Sequence, residues 1–409
     1  MQLPVNLALD LGTTSLAGRL LDQAGRCLAE GQVPNRQAKY GADVLRRLEA
    51  ARAGNGASLQ SILVDCVNEL VDGLLQSAGS DANSIQTAAA AANPAISLLF
   101  QNRPVDSLLV PPYKPADCSA VHVAADEVGL QLSCPVYLFP LINGFVGGDL
   151  VAFLFGQPSP KTPTLFVDVG TNGEIALFVD GQWWVTSVAA GPAFEGGEIG
   201  SGMLYGPGAI MGVKVQGDRF VLDVVTGQPP AGVCGSGLAE AVAVAIDAGL
   251  IDRHGSIVSP GAVESNLSRY LVPHGDGFAI SLYRDAHKQI LIEQKDVRNF
   301  QLAKAAVHAG VECLLQKAAV ETSDIAEVVL TGAFGFSLSK EALKKVALLP
   351  ANMVDRVRFE PGGALAGVSK MLWQEDGRMQ VEALAKKLKP YPLSGSPEFE
   401  KAFVAAIDF

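Results

Sequence analysis

The sequence predicts an α/β protein built from two related halves, each opening on one acidic, glycine-bearing hairpin. Three observations predict it. Two hairpins of one design occur, LALDLGTTSLAGRLLDQAGR at residues 7–26 and LFVDVGTNGEIALFVDGQ at residues 165–182. Each is followed by apolar segments that switch between a strand period and a helix period. Nearly half of the 409 residues are apolar and only 18% are charged, which suits closely packed helix and sheet and excludes a disordered chain.

Each hairpin runs as an apolar strand, Asp, one apolar residue, Gly, Thr, a second small polar residue, another apolar strand, an Asp twelve positions after the first, and a Gly turn. Gly12 and Gly170 let the backbone turn with no Cβ in the way. Amide N–H groups and the hydroxyls of Thr13, Thr14 and Thr171, with Asn172 beside them, then point at phosphate oxygens. Asp10 and Asp168 share the sign of a phosphate and do not bind it directly. Their expected task is to hold Mg²⁺ through its waters, because that ion keeps much of its hydration shell and takes one or two carboxylates plus phosphate oxygens. A single DxGT could merely close a hairpin; its recurrence in one chain favours a ligand. No GxxxxGK[ST] occurs, and a strand rather than a helix follows each loop, so neither is a P-loop.

Length gives two domains as the expectation. The formal charge of −11 argues against a nucleic-acid or anionic-membrane surface. No window reaches the roughly 20 uninterrupted apolar residues of a membrane helix, and no leader is evident, so the expected compartment is the cytoplasm. Cys27, Cys66, Cys118, Cys134, Cys234 and Cys313 are dispersed without a CxxC pair, which argues against zinc and against an iron–sulfur cluster in this chain. Most of them read as small buried hydrophobes. The five histidines are equally scattered.

Taken in order, the first half (1–160) opens with a three-strand meander through Val33, then a polar stretch to about Gly56. Helical spacing of Leu59, Ile62, Leu63, Cys66, Val67, Leu70, Val71 and Leu74 predicts an amphipathic helix over 58–77. A turn at 81–84, a strand or helix edge over 85–92, a loop at 111–115, a short helix over 116–128, a strand over 136–139 and a helix over 146–155 follow. GQPSPKTP at 156–163 is the linker. The second half (161–409) repeats the plan and carries inserted hairpins, over 211–227 and 262–293, in a subdomain spanning about 206–296. A strand over 184–190, a small-residue helix from Gly235, a helix over 297–316 capped by EQKD, and a strand at 328–335 complete it.

A duplicated meander with DxGT loops resembles the superfamily of actin, sugar and acetate kinases and heat-shock chaperone ATPases. That resemblance implies a duplicated ribonuclease H-like, actin-like ATPase fold with two lobes around a nucleotide cleft. The match narrows further. In order, AANPAISLLFQNRPVDSLLVPPYKP, YLFPLINGFVGGDLVAFLF, VDVGTNGEIAL, AAGPAFEGGEIGSGM, VCGSGLAEAVAVAIDAGLID, EQKDVRNFQLAKAAVHAGVECLL and VVLTGAFG resemble the ATPase portion of the reductive activators of corrinoid-dependent enzymes. The resemblance runs from Leu7 to about Trp373. It implies an ATPase that helps return a cobalamin protein from Co(II) to Co(I). Long members of that family begin with a ferredoxin domain. Here the first phosphate loop starts within the opening ten residues, so the electron is expected from a separate donor, ferredoxin-like or a flavoprotein. The implied partner is a corrinoid protein or a cobalamin-dependent methyltransferase; a homodimer is left open.

Within this resemblance Gly332, Ala333, Phe334 and Gly335 take the place of the adenosine motif. Gln301 and Lys304, on one helix face by the i, i+3 rule, would flank the nucleotide. Gly235 and Ser236 start the helix that the superfamily uses between its halves and are grouped with the nucleotide-binding residues. Asn93 ends an apolar strand and is expected to reach phosphate or water; Asp149 is either a site residue or a helix-entry residue. A hydrolase needs a group to orient or deprotonate the attacking water. Glu174, Glu195 and Asp168 are the candidates, in no settled order, with Asp10 acting through the metal. Two rivals share the same loops: a kinase acting on a sugar or carboxylate, and a chaperone-like actin-fold ATPase. No sugar-kinase signature and no peptide-binding domain speak for either.

Overall fold

The computed structural model describes residues 3–332 and 338–409. The chain divides into two compact units. The first comprises Met1–Lys161, Gly181–Thr186 and Gly362–Pro390; the second comprises Thr162–Asp180, Ser187–Pro361 and Tyr391–Phe409. A simple division at 160/161 is therefore corrected in two places, because the chain returns twice to the first unit.

In the first unit, β1 (Val5–Leu11), β2 (Ser15–Leu21) and β3 (Cys27–Pro34) form the antiparallel meander, with Asp10 opposite Ala17. The alanine run is strand β4 (Ile85–Ala92), parallel to β1, with Asp10 opposite Ala91 and Leu11 opposite Ala92. With β5 (Val121–Val123) and β6 (Val136–Leu138) the sheet has the order β3-β2-β1-β4-β6-β5. The parallel pair at its centre, β1 and β4, is nearly continuously buried, as its unbroken apolar runs require.

The polar stretch before Gly56 is more ordered than its composition suggests. It holds a 3₁₀ turn at Arg36–Tyr40 and the helix α1 (Val44–Ala50), capped by Asp43, whose side chain accepts from the Arg46 N–H. The long amphipathic helix α2 (Gly56–Ala78) lays its apolar stripe on β2 and β3. After α3 (Pro94–Phe100) and α4 (Asp106–Leu109), the expected helix over 116–128 is instead strand β5 followed by the one-turn α5 (Ala125–Val128). Asp117 accepts the Ser119 N–H and turns the chain there, a local bond that competes with a helix. α6 (Gly148–Gly156) follows as predicted.

In the second unit, β7 (Thr164–Val169) and β8 (Asn172–Val179) make the second hairpin; β9 (Gln182–Ala189) follows, its residues through Thr186 belonging to the first unit. The inserted hairpins are a sheet of β10 (Ala209–Gln216), β11 (Arg219–Val224) and β12 (Gly232–Val233), and a sheet of β13 (Leu271–His274), β14 (Gly277–Arg284) and β15 (Gln289–Ile292). α7 (Gly235–Asp247) lies between them in sequence. α8 (Gln294–Ala318) opens with a reciprocal capping box in which the Glu293 N–H donates to Asp296 Oδ2 at 2.9 Å. β16 (Glu327–Gly332) and, after α9 (Lys340–Lys345), β17 (Val357–Phe359) run parallel to β7 in the order β17-β16-β7-β8.

The returning segment adds α10 (Gly363–Trp373), α11 (Gly377–Ala385) and β18 (Leu388–Pro390) to the first unit. There α10 packs on α6, β1 and β4, and β18 pairs in parallel with the start of β9, Leu388 opposite Trp183. The last helix, α12 (Pro397–Ala405), packs on α8 in the second unit. Among the described residues no helix is long and apolar enough to cross a membrane.

Candidate functional site

Each unit presents one DxGT loop at the end of its first strand, and the two loops are built differently. Loop 1 spans three residues between β1 and β2; loop 2 spans only Gly170 and Thr171 between β7 and β8. The extra residue shifts the pairing by one: Asp10 lies opposite Ala17, seven positions on, and Asp168 lies opposite Glu174, six positions on.

In loop 1 three successive carbonyls are held by one neighbouring segment. Gly12 O accepts from Asn35 Nδ2 at 2.9 Å, Thr13 O from Arg47 Nη1 at 2.7 Å and Thr14 O from the Asn35 N–H at 2.8 Å. Asn93 does not stand open to a phosphate or water as expected. Its Oδ1 caps α3 by accepting the Ile96 N–H at 3.0 Å, and its Nδ2 donates to Thr13 Oγ1 at 3.0 Å. Because Thr13 Oγ1 already accepts from Asn93, its own proton is turned to donate elsewhere. Asn93 thus sets the Thr13 hydroxyl.

Loop 2 gathers the acidic candidates. Antiparallel partners project from the same face of a sheet, so Asp168 and buried Glu174 share a face, and Glu174 Oε1 accepts from Ser187 Oγ at 3.3 Å. Glu195 ends a 3₁₀ turn, Pro192–Glu195, and its Oε2 accepts the Thr171 hydroxyl proton. The backbone is closed by Gly170 N to Asn172 O at 3.0 Å and by Gly191 N to Thr171 O at 2.9 Å. All three water-orienting candidates therefore cluster around one loop. Asn172 is the first residue of β8.

The two loop glycines differ in need. A Cβ on Gly12 would lie 2.6 Å from Ser15 O, whereas one on Gly170 would meet nothing nearer than Asn172 O at 3.4 Å. The stricter position in unit 2 is Gly332 at the end of β16. Its φ is +96°, and a Cβ there would lie 2.3 Å from Val169 O and 2.6 Å from Asp168 Oδ1. β16 can therefore bring its backbone against the loop carboxylate only through glycine. Ala333, Phe334 and Gly335 lie outside the described residues.

Gln301 and Lys304 are corrected. Both are fully buried, but they hold the end of the chain: Gln301 Nε2 donates to Ile407 O and His254 O, each at 3.1 Å, and Lys304 Nζ donates to Asp408 O and lies over the Phe409 ring. Burial pushes the Lys304 ammonium down to about 8, against the pull of Asp408. Gly235 and Ser236 begin α7, closely packed: a Cβ on Gly235 would overlap Phe194 O, and buried Ser236 Oγ lies 3.4 Å from Cys234 Sγ. Asp149 enters α6, its Oδ1 accepting the Leu150 N–H at 2.8 Å. Burial pushes its carboxyl up to about 6.

Asn35, Gln37 and Arg47 were invisible to motif reasoning. The available signal was Arg47 standing in the apolar stripe of Val44, Leu48 and Ala51, a core position for a charged side chain.

The donor set suits a magnesium-bound polyphosphate. Among the described residues no three His, Cys, Asp or Glu side chains converge as a self-sufficient metal site. Mg²⁺ needs only one or two carboxylates when phosphates and water complete its octahedron. Asp10 in the first unit and Asp168 in the second are each half-buried beside a hydroxyl-bearing loop, so each loop offers one carboxylate of the kind Mg²⁺ accepts.

Comparison with known proteins agrees over the whole chain. Residues 162–409 match the family model described as the C-terminal domain of RACo, the ASKHA domain, and residues 5–157 match the RACo middle region. The chain is 29% identical over 409 residues to the corrinoid activation enzyme RamQ of Eubacterium limosum, covering 97% of this chain and 69% of that protein. It is 24% identical to the Co(II) methylated amine-specific corrinoid protein reductase of Methanosarcina barkeri, covering 93% and 72%. The solved structure of a reductive activator for corrinoid, iron-sulfur protein superposes with a TM-score of 0.94 at 30% identity, covering 100% of this chain and 66% of that one. The chain spans about two thirds of the length of these relatives. With the middle region and the ASKHA domain both matched, it belongs to the RACo family of actin-like ATPase fold.

Proposed function

We propose that this chain is the nucleotide-driven part of a reductive activator, which hydrolyses Mg-ATP to assist the return of a corrinoid protein or cobalamin-dependent methyltransferase from Co(II) to Co(I). The observation that carries the reading is the pair of acidic DxGT loops, one per unit, in a chain matched from end to end by the RACo family. Loop 1 offers the oriented Thr13 hydroxyl to phosphate oxygens. Asp10 and Asp168 are the carboxylates that would hold Mg²⁺, and the ion would neutralise phosphate charge. One of Glu174, Glu195 and Asp168 orients the attacking water. Thr171 has one hydroxyl proton, now given to Glu195. When a phosphate takes that proton, Glu195 is released toward other work.

Reduction of Co(II) to Co(I) is uphill for ordinary donors, and an ATP cycle supports it by changing the affinity of the activator for the two states of its partner. Each tenfold change needs about 1.4 kcal/mol of coupling. The electron comes from a ferredoxin-like or flavin-bearing donor.

The test combines the full chain, ATP, Mg²⁺, a corrinoid protein held as Co(II) and a low-potential donor. The expected result is ATP hydrolysis stimulated by the Co(II) protein, with an absorption change to the Co(I) spectrum that requires ATP. A phosphorylated sugar or carboxylate from a substrate panel, with no spectral change, would refute it.

A further inference from the structure

Behind loop 1 lies a brace that nothing in the ATPase reading requires. Arg47 is fully buried. Its guanidinium spans two backbone carbonyls, Nε donating to Gly41 O at 2.9 Å and Nη1 to Thr13 O at 2.7 Å. Asn35 holds the carbonyls on both sides of Thr13, those of Gly12 and Thr14. Gln37 ties the two together: its N–H donates to Asn35 Oδ1 at 3.0 Å, and its Oε1 accepts from Arg47 Nη1 and Asn35 Nδ2 at 3.4 Å each.

We infer that Arg47 and Asn35 are positioning residues that aim the amides of loop 1 at the phosphates of the nucleotide. In a planar trans peptide the N–H points opposite to the preceding C=O. Holding Gly12 O and Thr13 O toward residues 35–47 therefore turns the N–H groups of Thr13 and Thr14 away from that segment, to the side where an anion is received. Successive amides directed to one side form an anion-binding concavity. A rigid planar fork is needed because two carbonyls are held at once; lysine keeps the charge but has one nitrogen. This inference rests on the reading of loop 1 as a phosphate loop.

The experiment uses the full chain with Arg47→Lys or Asn35→Ser and measures calorimetric binding of Mg-ATP and of adenosine, with Tm alongside. The expected result is a rise of about tenfold in the Kd for ATP, the scale of one lost charge-assisted hydrogen bond. Adenosine binding stays within about twofold, because adenosine has no phosphate to read the amides. Equal changes for both ligands, or none, overturn the inference and make the pair a packing device. If Arg47→Lys does not fold, Asn35→Ser decides alone. An unmodified chain that takes up adenosine but no ATP overturns the phosphate-loop reading and this inference with it. An unmodified chain that binds ATP while the variants behave identically overturns the inference alone.

Discussion

Gly12 and Gly170 occupy matching places in the two DxGT motifs, yet alanine is expected to act differently at each. At Gly12 the added Cβ would sit 2.6 Å from Ser15 O, and that oxygen belongs to the backbone of β2, so relief requires the strand to move. Overpacking of this kind costs about 1–3 kcal/mol. At Gly170 the nearest atom is 3.4 Å away, an ordinary contact, and substitutions away from such conflicts stay within about 0.5 kcal/mol. At about 2–4 °C per kcal/mol for a unit of 150–250 residues, Gly12→Ala should lower the midpoint of the first unit by roughly 2–12 °C. Gly170→Ala should leave the midpoint of the second almost unmoved. Urea unfolding and calorimetry on both full chains measure this. If Gly170→Ala is the less stable, or the two are equal, the asymmetry argued for the loops is wrong. Both chains are then titrated with ATP. A loss of affinity in Gly170→Ala without a change of midpoint identifies the open side of that glycine as the side the phosphate approaches.

Asp10→Asn and Asp168→Asn should each reduce Mg-dependent ATP turnover by about 100-fold or more, read as phosphate release; near-normal turnover in either would remove that carboxylate from the metal site. Asn93→Ala deletes the cap of α3 and the donor to Thr13 Oγ1. It should cost about 1 kcal/mol from the cap in urea unfolding and also weaken ATP binding; weaker binding without destabilisation, or the reverse, would break the link between the two roles. Lys304 is held down to about 8 by burial, so the folded chain sheds this proton before the unfolded chain does. Stability should therefore be lower below about pH 8 and rise as pH climbs toward 10.5, the opposite sense to a group whose charged form is favoured by folding. The stability of the parent chain minus that of Lys304→Met should increase by up to about 3 kcal/mol across that window, and a flat difference would sink the assignment.

The hairpins were legible because a phosphate loop needs a fixed order of small and acidic residues, and that order repeats. α2, α6 and α8 were legible from periodicity, and α8 also from its Glu293–Asp296 cap. The brace of loop 1 was hidden because a polar stretch containing Arg46, Arg47 and Arg52 resembles a solvated loop until its carbonyl partners are known. Gln301 and Lys304 were correctly placed on one helix face, but spacing says nothing about what covers that face. The cover is Ile407, Asp408 and Phe409, about a hundred residues downstream. The one-residue difference between the loops was equally hidden, since both motifs carry their second Asp at the same interval and only pairing reveals the offset.

The return of Gly362–Pro390 to the first unit has a consequence for biosynthesis. That unit has made its six sheet strands once Leu138 is polymerised, yet α10, which packs on β1, β4 and α6, is translated much later. The bond from Lys370 Nζ to Phe155 O joins residues 215 apart. At 5–20 residues per second the ribosome needs roughly 10–40 s to span that distance. During that interval the apolar surface of β1 and β4 that receives α10 stands open, so the first unit cannot mature until most of the second has been translated. The nascent chain is a natural client for holding factors through that wait, and a fragment ending at the 160/161 linker would never leave it.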